Sequence, residues 1–394
     1  MQTEYHYGPP PDDAALTRLM EILGRCFNTS REQEKQYVEK AGRETIRMLA
    51  WGETIVGGLS LHAMGQFFGG KSVPMAGIAL VGIDPAHRGH GSGTIMMQET
   101  IREIHASGVA LSALYPATLP LYRRVGYEQA GMHHEIKISL AGRSLGDRTL
   151  SIREVEEDDW PAIKSLYQAK AVHYDGHLDR NEFLWKRIRA RRELVAKGYA
   201  AFRDGVMEGY VFLMQKEEKG FRYSLRASDL VASTPAAARR LLALIADHGS
   251  LAATATWSTF PSDPVITHLP EVGFTLNTED PWMLRIVNVK KALEQRGYPH
   301  SPDTELHLKL TDDLIKENHG PWLLRIENGV GQAEPGGRGE LALDIRGLAS
   351  LYSGFHTPRE VALSGLGEGS PEVLDRAEPI FQGSNGGPCM VDGF

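Results

Sequence analysis

The stretch V-G-I-D-P-A-H-R-G-H-G-S-G, residues 81–93, decides the fold expected of this chain. It continues an apolar run with β-branched residues that predicts a strand over 76–83, which Pro85 ends. Six residues rich in glycine follow, and residues 94–107 carry apolar side chains at helical spacing. A strand, a glycine loop and a helix N-terminus predict a pyrophosphate site, because free N–H groups and the helix dipole both favour an anion there.

The order of the glycines separates this loop from two common phosphate-binding motifs. The dinucleotide fingerprint G-x-G-x-x-G matches poorly, no ribose-binding acid ends a following strand, and the lysine of the P-loop is absent. Glycine-rich turns between a strand and a helix also occur in many folds without a ligand. The order R-G-x-G-x-G resembles motif A of the GNAT superfamily of N-acetyltransferases, whose loop holds the pyrophosphate of acetyl-CoA.

A second motif follows about thirty residues later. The fragment L-Y-R-R-V-G-Y, residues 121–127, comes after a short apolar strand at 110–114. It resembles the Y-x-x-x-G-F/Y segment that ends the acetyltransferase core. The resemblance implies that a helix carries Tyr122 toward the thioester sulfur and that the next strand begins at Gly126-Tyr127.

Length and composition limit the classes of function. The 394 residues suffice for two to three domains, and 42% hydrophobic with 24% charged residues is typical of a globular protein. The sequence has no signal peptide and no long apolar segment, so we expect a cytoplasmic protein that does not bind a membrane. Two distant cysteines predict neither a disulfide nor a zinc site, and the net charge of −7 argues against a nucleic-acid partner.

The chain repeats its first pattern. Residues 139–148 are small and polar, as in a linker, and the strand–turn–strand pattern at 200–211 matches that at 49–59. The segment L-V-A-S-T-P-A-A-A-R-R, residues 230–240, keeps the strand–turn–helix order of the loop but has lost its glycines. The second copy is therefore expected to shape a substrate wall without binding CoA.

The last third differs from both copies. Alternating strands are predicted at 305–310, 321–328 and 340–345, and helices at 347–355, 358–363 and 372–381. The order resembles a sterol-carrier-protein-type α+β domain. The expected fold is a mixed α+β and α/β protein with tandem GNAT-like domains, the second degenerate, followed by this domain. The expected boundaries are 1–145, 146–284 and 285–394.

These three parts together resemble the Eis (enhanced intracellular survival) family of GNAT-superfamily N-acetyltransferases. The resemblance implies an acetyl-CoA-dependent transfer to amines of aminoglycoside- or polyamine-like substrates, at several positions, by a homo-hexamer that needs no metal. It implies Tyr122 as the general acid and the α-carboxylate of Phe394 as the general base. It also implies that the glycine-rich C-terminal tail, residues 383–394, reaches the first domain. Since Gly393 precedes Phe394, no acid lies beside the base, which argues against a strong aminoglycoside preference.

The same resemblance assigns the cofactor contacts. The pantetheine of acetyl-CoA is expected to contact Val81, Gly82 and Ile83. The pyrophosphate is expected to contact Arg88, Gly89, His90, Gly91, Ser92, Gly93 and Thr94. The thiol end is expected to lie near Ala117 and Thr118. Tyr115 and Tyr127 compete with Tyr122 for the acid role, Tyr127 being the better core residue. Candidate substrate-wall residues, each better explained by packing or solvent exposure than by function, are Phe27, Tyr37, Phe67, Phe68 and Asp392.

Three interpretations of function stay open. The first is the small-molecule amine acetyltransferase, and the second is a protein or peptide lysine acetyltransferase. The third is a lipid-binding or interaction protein that works through its last domain. His133-His134 is interpreted as structural rather than metal-binding, because neighbours on a strand face opposite ways.

Overall fold

The structure is a computed structural model that describes residues 4–141, 145–269, 273–300, 302–383 and 387–394. The chain forms two compact units. The first unit contains residues 1–131, 281–383 and Phe394, and the second contains residues 132–280 and 384–393. The predicted first and third domains therefore share one unit, while the tail up to Gly393 belongs to the other.

The first part of the chain has the strand and helix order expected of an acetyltransferase core. Its strands are β1 (Tyr5–Gly8), β2 (Ile46–Trp51), β3 (Thr54–Phe68), β4 (Lys71–Ile83) and β5 (Leu111–Leu114), followed by β6 (Glu128–Ser139). Its helices are α1 (Asp13–Phe27), α2 (Arg31–Ala41), α3 (Ser92–Ala106) and α4 (Leu119–Arg123). In the first unit the strands lie in the order β1-β2-β3-β4-β5, and the helices α1 and α3 bury apolar faces against them.

Local sequence explains where these elements begin and end. The Asp12 carboxylate accepts a hydrogen bond from the Ala15 N–H at 2.8 Å, so it caps α1. Ser30 and Gln33 form a capping box at the start of α2. Phe67 and Phe68 are buried residues of β3, and the turn to β4 is confined to Gly69-Gly70, which both have positive φ.

The second part repeats the same order. Its strands are β7 (Ser151–Glu154), β8 (Leu178–Asp179), β9 (Ala190–Arg191), β10 (Leu194–Arg203), β11 (Val206–Glu217), β12 (Tyr223–Ala232), β13 (Ala252–Thr259) and β14 (Phe274–Ile286), and its helices are α5 (Trp160–Ala171), α6 (Glu182–Arg189) and α7 (Pro235–Asp247). Strands β10, β11 and β12, helix α7 and strand β13 follow one another as β2, β3, β4, α3 and β5 do. The predicted repeat and tandem fold are confirmed.

The last part completes the first unit. Its helices are α8 (Val289–Gln295), α9 (Ile345–Ser353), α10 (Pro358–Leu363) and α11 (Pro371–Phe381), and its strands are β15 (Thr304–Thr311), β16 (Gly320–Glu327), β17 (Val330–Pro335), β18 (Leu341–Asp344) and β19 (Gly367–Glu368). The sheet order is β17-β16-β15-β18-β19. Strand β17 was not predicted, because its buried positions are the small residues Gly331 and Ala333, which give a weak apolar pattern. The inward positions of β15 are buried leucines that fill this domain's core.

Among the described residues, none of the helices combines the length and apolar character that crossing a membrane requires.

Candidate active site

The glycine loop, residues 88–93, leaves space for a ligand in front of the N-terminus of α3. Gly89 and Gly91 have φ of +83° and +82°, and no atom lies within 4 Å of a Cβ added at either residue. Gly91 is the N-cap residue of α3. Because glycine has no side chain, it accepts no side-chain hydrogen bond from the first N–H groups of the helix. The geometry fits a pyrophosphate, which takes up such N–H groups through its oxygens.

Two side chains of the loop are used within the protein. The Arg88 guanidinium donates from Nε to the Ile83 carbonyl at 3.0 Å, so its side chain turns back toward β4. The Ser92 hydroxyl lies 2.9 Å from the Tyr5 hydroxyl and is buried. We therefore expect this loop to bind an anion mainly through its backbone.

Strands β4 and β5 diverge beside the loop. Their parallel register joins Met75, Ala76 and Gly77 to Leu111, Ser112 and Ala113, and the rest of β4 continues without a partner in β5 in the part of the chain that the structure describes. Leu80 has a φ of +53°, and the β3–β4 register shifts there, as in a β-bulge. The divergence leaves the β4 edge from Ile78 to Ile83, including Val81 and Gly82, available for a pantetheine chain.

Tyr122 lies on α4, the short helix that follows this divergence. Its side chain is 4% exposed, and its ring packs edge-to-face on Tyr127 with centroids 6.1 Å apart. Burial raises the pKa of Tyr122 to about 12, so the hydroxyl keeps its proton at neutral pH. A neutral phenol in this position can donate a proton to a leaving group. Ala117 and Thr118 are exposed and lie directly before α4.

A buried ion pair between Arg285 and Asp312 supports the turn that follows Tyr122. The carbonyl of Tyr122 accepts hydrogen bonds from the N–H groups of Val125 and Tyr127 at 3.0 and 3.1 Å. The Arg285 side chain donates to the Val125 carbonyl at 3.0 Å and to both oxygens of Asp312 at 2.8 and 2.7 Å. A Cβ added at Gly126 would lie 2.7 Å from the Arg285 Nε, so glycine is required there.

The position of Tyr127 argues against a role as the general acid. Its side chain is fully buried, and its hydroxyl lies 2.7 Å from the hydroxyl of Ser112, which itself donates to the Ala76 carbonyl at 2.8 Å. Burial raises the pKa of Tyr127 further than that of Tyr122. We interpret Tyr127 as a residue that joins β5, β4 and the turn.

Phe394 lies in the first unit at the point where β4 and β5 diverge. A Cβ added at Gly77, the last paired residue of β4, would lie 2.9 Å from a ring carbon of Phe394 and 3.0 Å from the Met64 methyl. The rings of Tyr115 and Phe394 have centroids 6.3 Å apart. Phe394 and Tyr122 thus belong to the same compact unit, in the elements that border the divergence.

The sequence analysis did not single out two further residues of this region, Gly77 and His62. His62 on β3 lies directly across from Gly77 in the register, and its side chain is buried. Its Nε2 lies 2.8 Å from the Tyr37 hydroxyl and 2.9 Å from the Ser60 hydroxyl. A histidine at an inward position of β3 is a sequence feature that indicates a buried hydrogen-bond network. No local pattern indicates the role of Gly77, because its partner Phe394 lies 317 positions later in the chain.

Other candidates have structural positions. Phe67 and Phe68 are buried, Phe68 packing on Tyr352, whereas Phe27 is 39% exposed. Asp392 is buried in the second unit and paired with Arg180, so its carboxylate is not free to bind a substrate amine. His133 and His134 bond to Ser258 and Thr278. The described residues contain no group of three or more His, Cys, Asp or Glu side chains that could hold a metal ion.

Comparison with known proteins assigns all three parts of the chain. Models described as "Acetyltransferase (GNAT) domain" match residues 10–130 and 176–286, and a "Sterol carrier protein domain" matches residues 289–390. The N-acetyltransferase Eis of Mycobacterium tuberculosis is 26% identical over 323 residues, which cover 78% of each chain.

Solved structures agree with this assignment. A GCN5-related N-acetyltransferase from Anabaena variabilis is 37% identical, with a TM-score of 0.93 over 99% of this chain and 100% of that one. Eis1 from Mycobacterium abscessus shares the fold, with a TM-score of 0.78 over 99% of this chain and 100% of that one at 18% identity.

Proposed function

The chain belongs to the GCN5-related N-acetyltransferases, and from this premise we propose that it is an enzyme of the Eis type that transfers an acetyl group directly from acetyl-CoA to a small-molecule amine. In this proposal Tyr122 is the general acid and the Phe394 carboxylate is the general base. The contact between the Phe394 ring and Gly77, where β4 and β5 diverge, carries the proposal, because it brings a carboxylate to the part of the unit that contains Tyr122.

The chemistry needs both groups. A protonated alkylamine cannot attack a thioester, so a carboxylate within reach, directly or through one water, first takes its proton. The amine nitrogen then forms a bond to the acetyl carbon, and the carbon–sulfur bond breaks. The CoA sulfur takes the bonding electrons and receives the proton of Tyr122, whose raised pKa keeps it protonated until then. The surplus proton of the new amide nitrogen then returns to the Tyr122 oxygen, and the proton held by the Phe394 carboxylate passes to water, so both groups are restored. The β4 edge near Val81–Ile83 supplies N–H groups for the oxyanion.

The cofactor contacts follow from the same elements. Val81, Gly82 and Ile83 would bind the pantetheine, the glycine loop with Thr94 the pyrophosphate, and Ala117 and Thr118 would lie near the thiol. Support comes from the open space at Gly89 and Gly91 and from the uncapped start of α3. We expect no metal in this transfer, since acid, base and oxyanion donors are all supplied by the chain.

The substrate we propose is a polyamine-like molecule, with aminoglycosides as weaker substrates. The pairing of Asp392 with Arg180 supports the weaker activity on aminoglycosides, because this side-chain carboxylate near the end of the tail is then not available to bind substrate amines. A protein lysine substrate is the alternative. The leucine-filled core of the last domain gives no support to lipid binding as the main function.

The test measures acetyl-CoA turnover with a panel of polyamines, aminoglycosides and a lysine peptide. The native chain is compared with a chain lacking Phe394 and with Tyr122→Phe. We expect kcat to fall by about 10²- to 10⁴-fold in both variants, as for the loss of a general acid or base. Acetyl-CoA binding, followed by calorimetry, should remain. Full activity of either variant would remove that residue from the mechanism, and a preference for the peptide would favour the alternative.

A further inference from the structure

The second unit contains a divergence of strands like that of the first. Parallel pairing of β12 with β13 ends at Ala227 and Trp257, and the β11–β12 register shifts directly afterwards, around Ser228. In the first unit this position is the edge along which we expect the pantetheine to bind. The second unit, however, has no glycine loop: Thr234 caps α7 through its own hydroxyl, which accepts the Ala237 N–H at 3.1 Å.

The divergence in the second unit is filled by the C-terminal tail. The Cys389 N–H donates to the Asp175 carbonyl at 3.0 Å, and its thiol donates to the carbonyl of Thr259, the last residue of β13. The Met132 N–H donates to the Pro388 carbonyl at 3.3 Å. The cavity that remains, with Val391 and Trp257 in its lining, measures about 20 Å³. That is room for about one water and far too little for a cofactor.

A buried arginine fixes the tail in this position. The Arg180 side chain is 1% exposed and lies 3.5 Å above the centre of the Tyr167 ring. Its Nε donates to both oxygens of Asp392 at 3.1 and 2.9 Å, and its two terminal nitrogens bind Asp229 on β12 at 2.6 and 3.1 Å. The Tyr167 hydroxyl donates to Asp392 at 3.2 Å, and Tyr210 donates to Asp229 at 2.8 Å.

We propose that the Arg180–Asp392 pair is a positioning device for the reaction, which fixes the place of the Phe394 carboxylate by anchoring the tail two residues before it. The inference rests on the proposed function, in which that carboxylate is the base. It assigns a role to the degenerate copy: its former cofactor cleft now holds the chain's own end. Only the covalent chain is needed to connect the two residues, since two residues span at most about 7 Å.

The sharpest variant is Asp392→Ala. Replacing Arg180 would leave two buried carboxylates facing each other and would destabilise the second unit. Replacing Asp392 leaves Arg180 in its two-nitrogen pair with Asp229, so the unit should fold. Asp247→Ala is the control for the loss of a carboxylate alone, because it removes one carboxylate from an exposed arginine pair of this unit, that with Arg148, away from the tail.

The experiment measures kcat, the KM for acetyl-CoA, and hydrogen exchange of the peptide that covers residues 387–394, in the full chain. For Asp392→Ala we expect faster exchange of the tail and a fall in kcat of about 10- to 100-fold, since a displacement of about 1 Å costs this much. The KM for acetyl-CoA should stay unchanged. The thermal unfolding midpoint, measured as a fourth quantity, should fall by only about a few degrees, because the Arg180 Nε loses its acceptor while the pair with Asp229 remains. Asp247→Ala should leave all four quantities unchanged.

The outcomes separate the inference from the function it rests on. If the chain lacking Phe394 is inactive while Asp392→Ala keeps its full kcat, the positioning role is wrong and the base assignment stands. Unchanged tail exchange in Asp392→Ala overturns the anchoring itself. If the chain lacking Phe394 is fully active, the proposed base is wrong, and the positioning role fails with it.

Discussion

At the residue scale, Phe394 lies against Gly77, where β4 and β5 diverge. The Phe394 ring occupies the space that a side chain at position 77 would fill. The position of Phe394 therefore depends on glycine at position 77. Tyr122 is defined by burial instead: its environment raises the pKa of its hydroxyl and makes the neutral form the stable one. Each residue can be tested by a change that leaves the other in place.

A side chain at position 77 should displace Phe394. Gly77→Val places atoms within 3 Å of the ring, and Phe394, which is bonded to the chain on one side only, will move before the buried strand does. We expect kcat to fall by at least about tenfold, with a smaller effect for Gly77→Ala, because of the misplacement of the base. Steady-state kinetics with a fixed amine measure this. Gly8→Ala is the control, since nothing lies within 4 Å of its added Cβ. Unchanged kcat in Gly77→Val would contradict the position given to Phe394.

The raised pKa of Tyr122 predicts the alkaline side of the pH profile. The acid is active when protonated, and with a pKa of about 12 it stays so throughout the range in which an ordinary tyrosine, with a pKa of about 10, loses its proton. The value of kcat should therefore not fall between about pH 8 and about pH 10. A decline with a midpoint near 10 that disappears in Tyr122→Phe would contradict the environment described for this hydroxyl.

At the element scale, the sequence predicted what local pattern determines. The glycine loop, α3 and the turn after Tyr122 carry their glycines and apolar spacing within one segment, so their prediction needed no tertiary information. The support of that turn by Arg285 and Asp312 depends on residues 160 positions or more away, and no local pattern records such a pair. A signal existed nonetheless, since an arginine inside the apolar run W-M-L-R-I-V calls for a buried partner.

Breaking this buried pair should loosen the element that carries Tyr122. Arg285 and Asp312 side chains are 0% and 1% exposed, so Arg285→Met leaves an uncompensated carboxylate. We expect the free energy of unfolding to fall by about 3–5 kcal/mol. The double variant Arg285→Met/Asp312→Leu should recover part of the stability, measured by chemical denaturation, without recovering kcat. Equal stability of the single variant and the native chain would contradict the structural role of the pair.

At the scale of the whole molecule, the two GNAT-like copies share one fold but differ at the place where strands diverge. The first copy keeps a glycine loop and an open divergence of strands, whereas the second has a side-chain cap on α7 and a divergence filled by the tail. The sequence predicted the loss of CoA binding from the missing glycines. It did not predict what fills the second cleft, because the tail residues gave no indication of their partner.

The chain should bind one acetyl-CoA. Calorimetry with CoA is expected to give one site per chain, and Gly91→Val should abolish it, since a β-branched residue tolerates a φ near +82° poorly and its side chain would occupy the pyrophosphate space. Thr234→Val in the second copy is the control and should leave CoA binding intact. A stoichiometry of two would show that the second cleft opens.

Assembly belongs to the same scale. The resemblance to the Eis family predicts a homo-hexamer, and light scattering after size-exclusion chromatography should give about six times the chain mass of 43.5 kDa. A monomer with full turnover would show that the site is complete within one chain.

The central claim is that a carboxylate at the end of the chain acts as the base. A chain whose Phe394 ends in a carboxamide, made by ligation of a synthetic C-terminal peptide, changes that group alone and keeps the ring on Gly77. The measurement is kcat with a fixed polyamine, beside acetyl-CoA affinity and a ligated control with the natural carboxylate. We predict unchanged acetyl-CoA affinity and a loss in kcat of at least about 100-fold for the carboxamide chain. A carboxamide chain as active as the ligated control would contradict this claim.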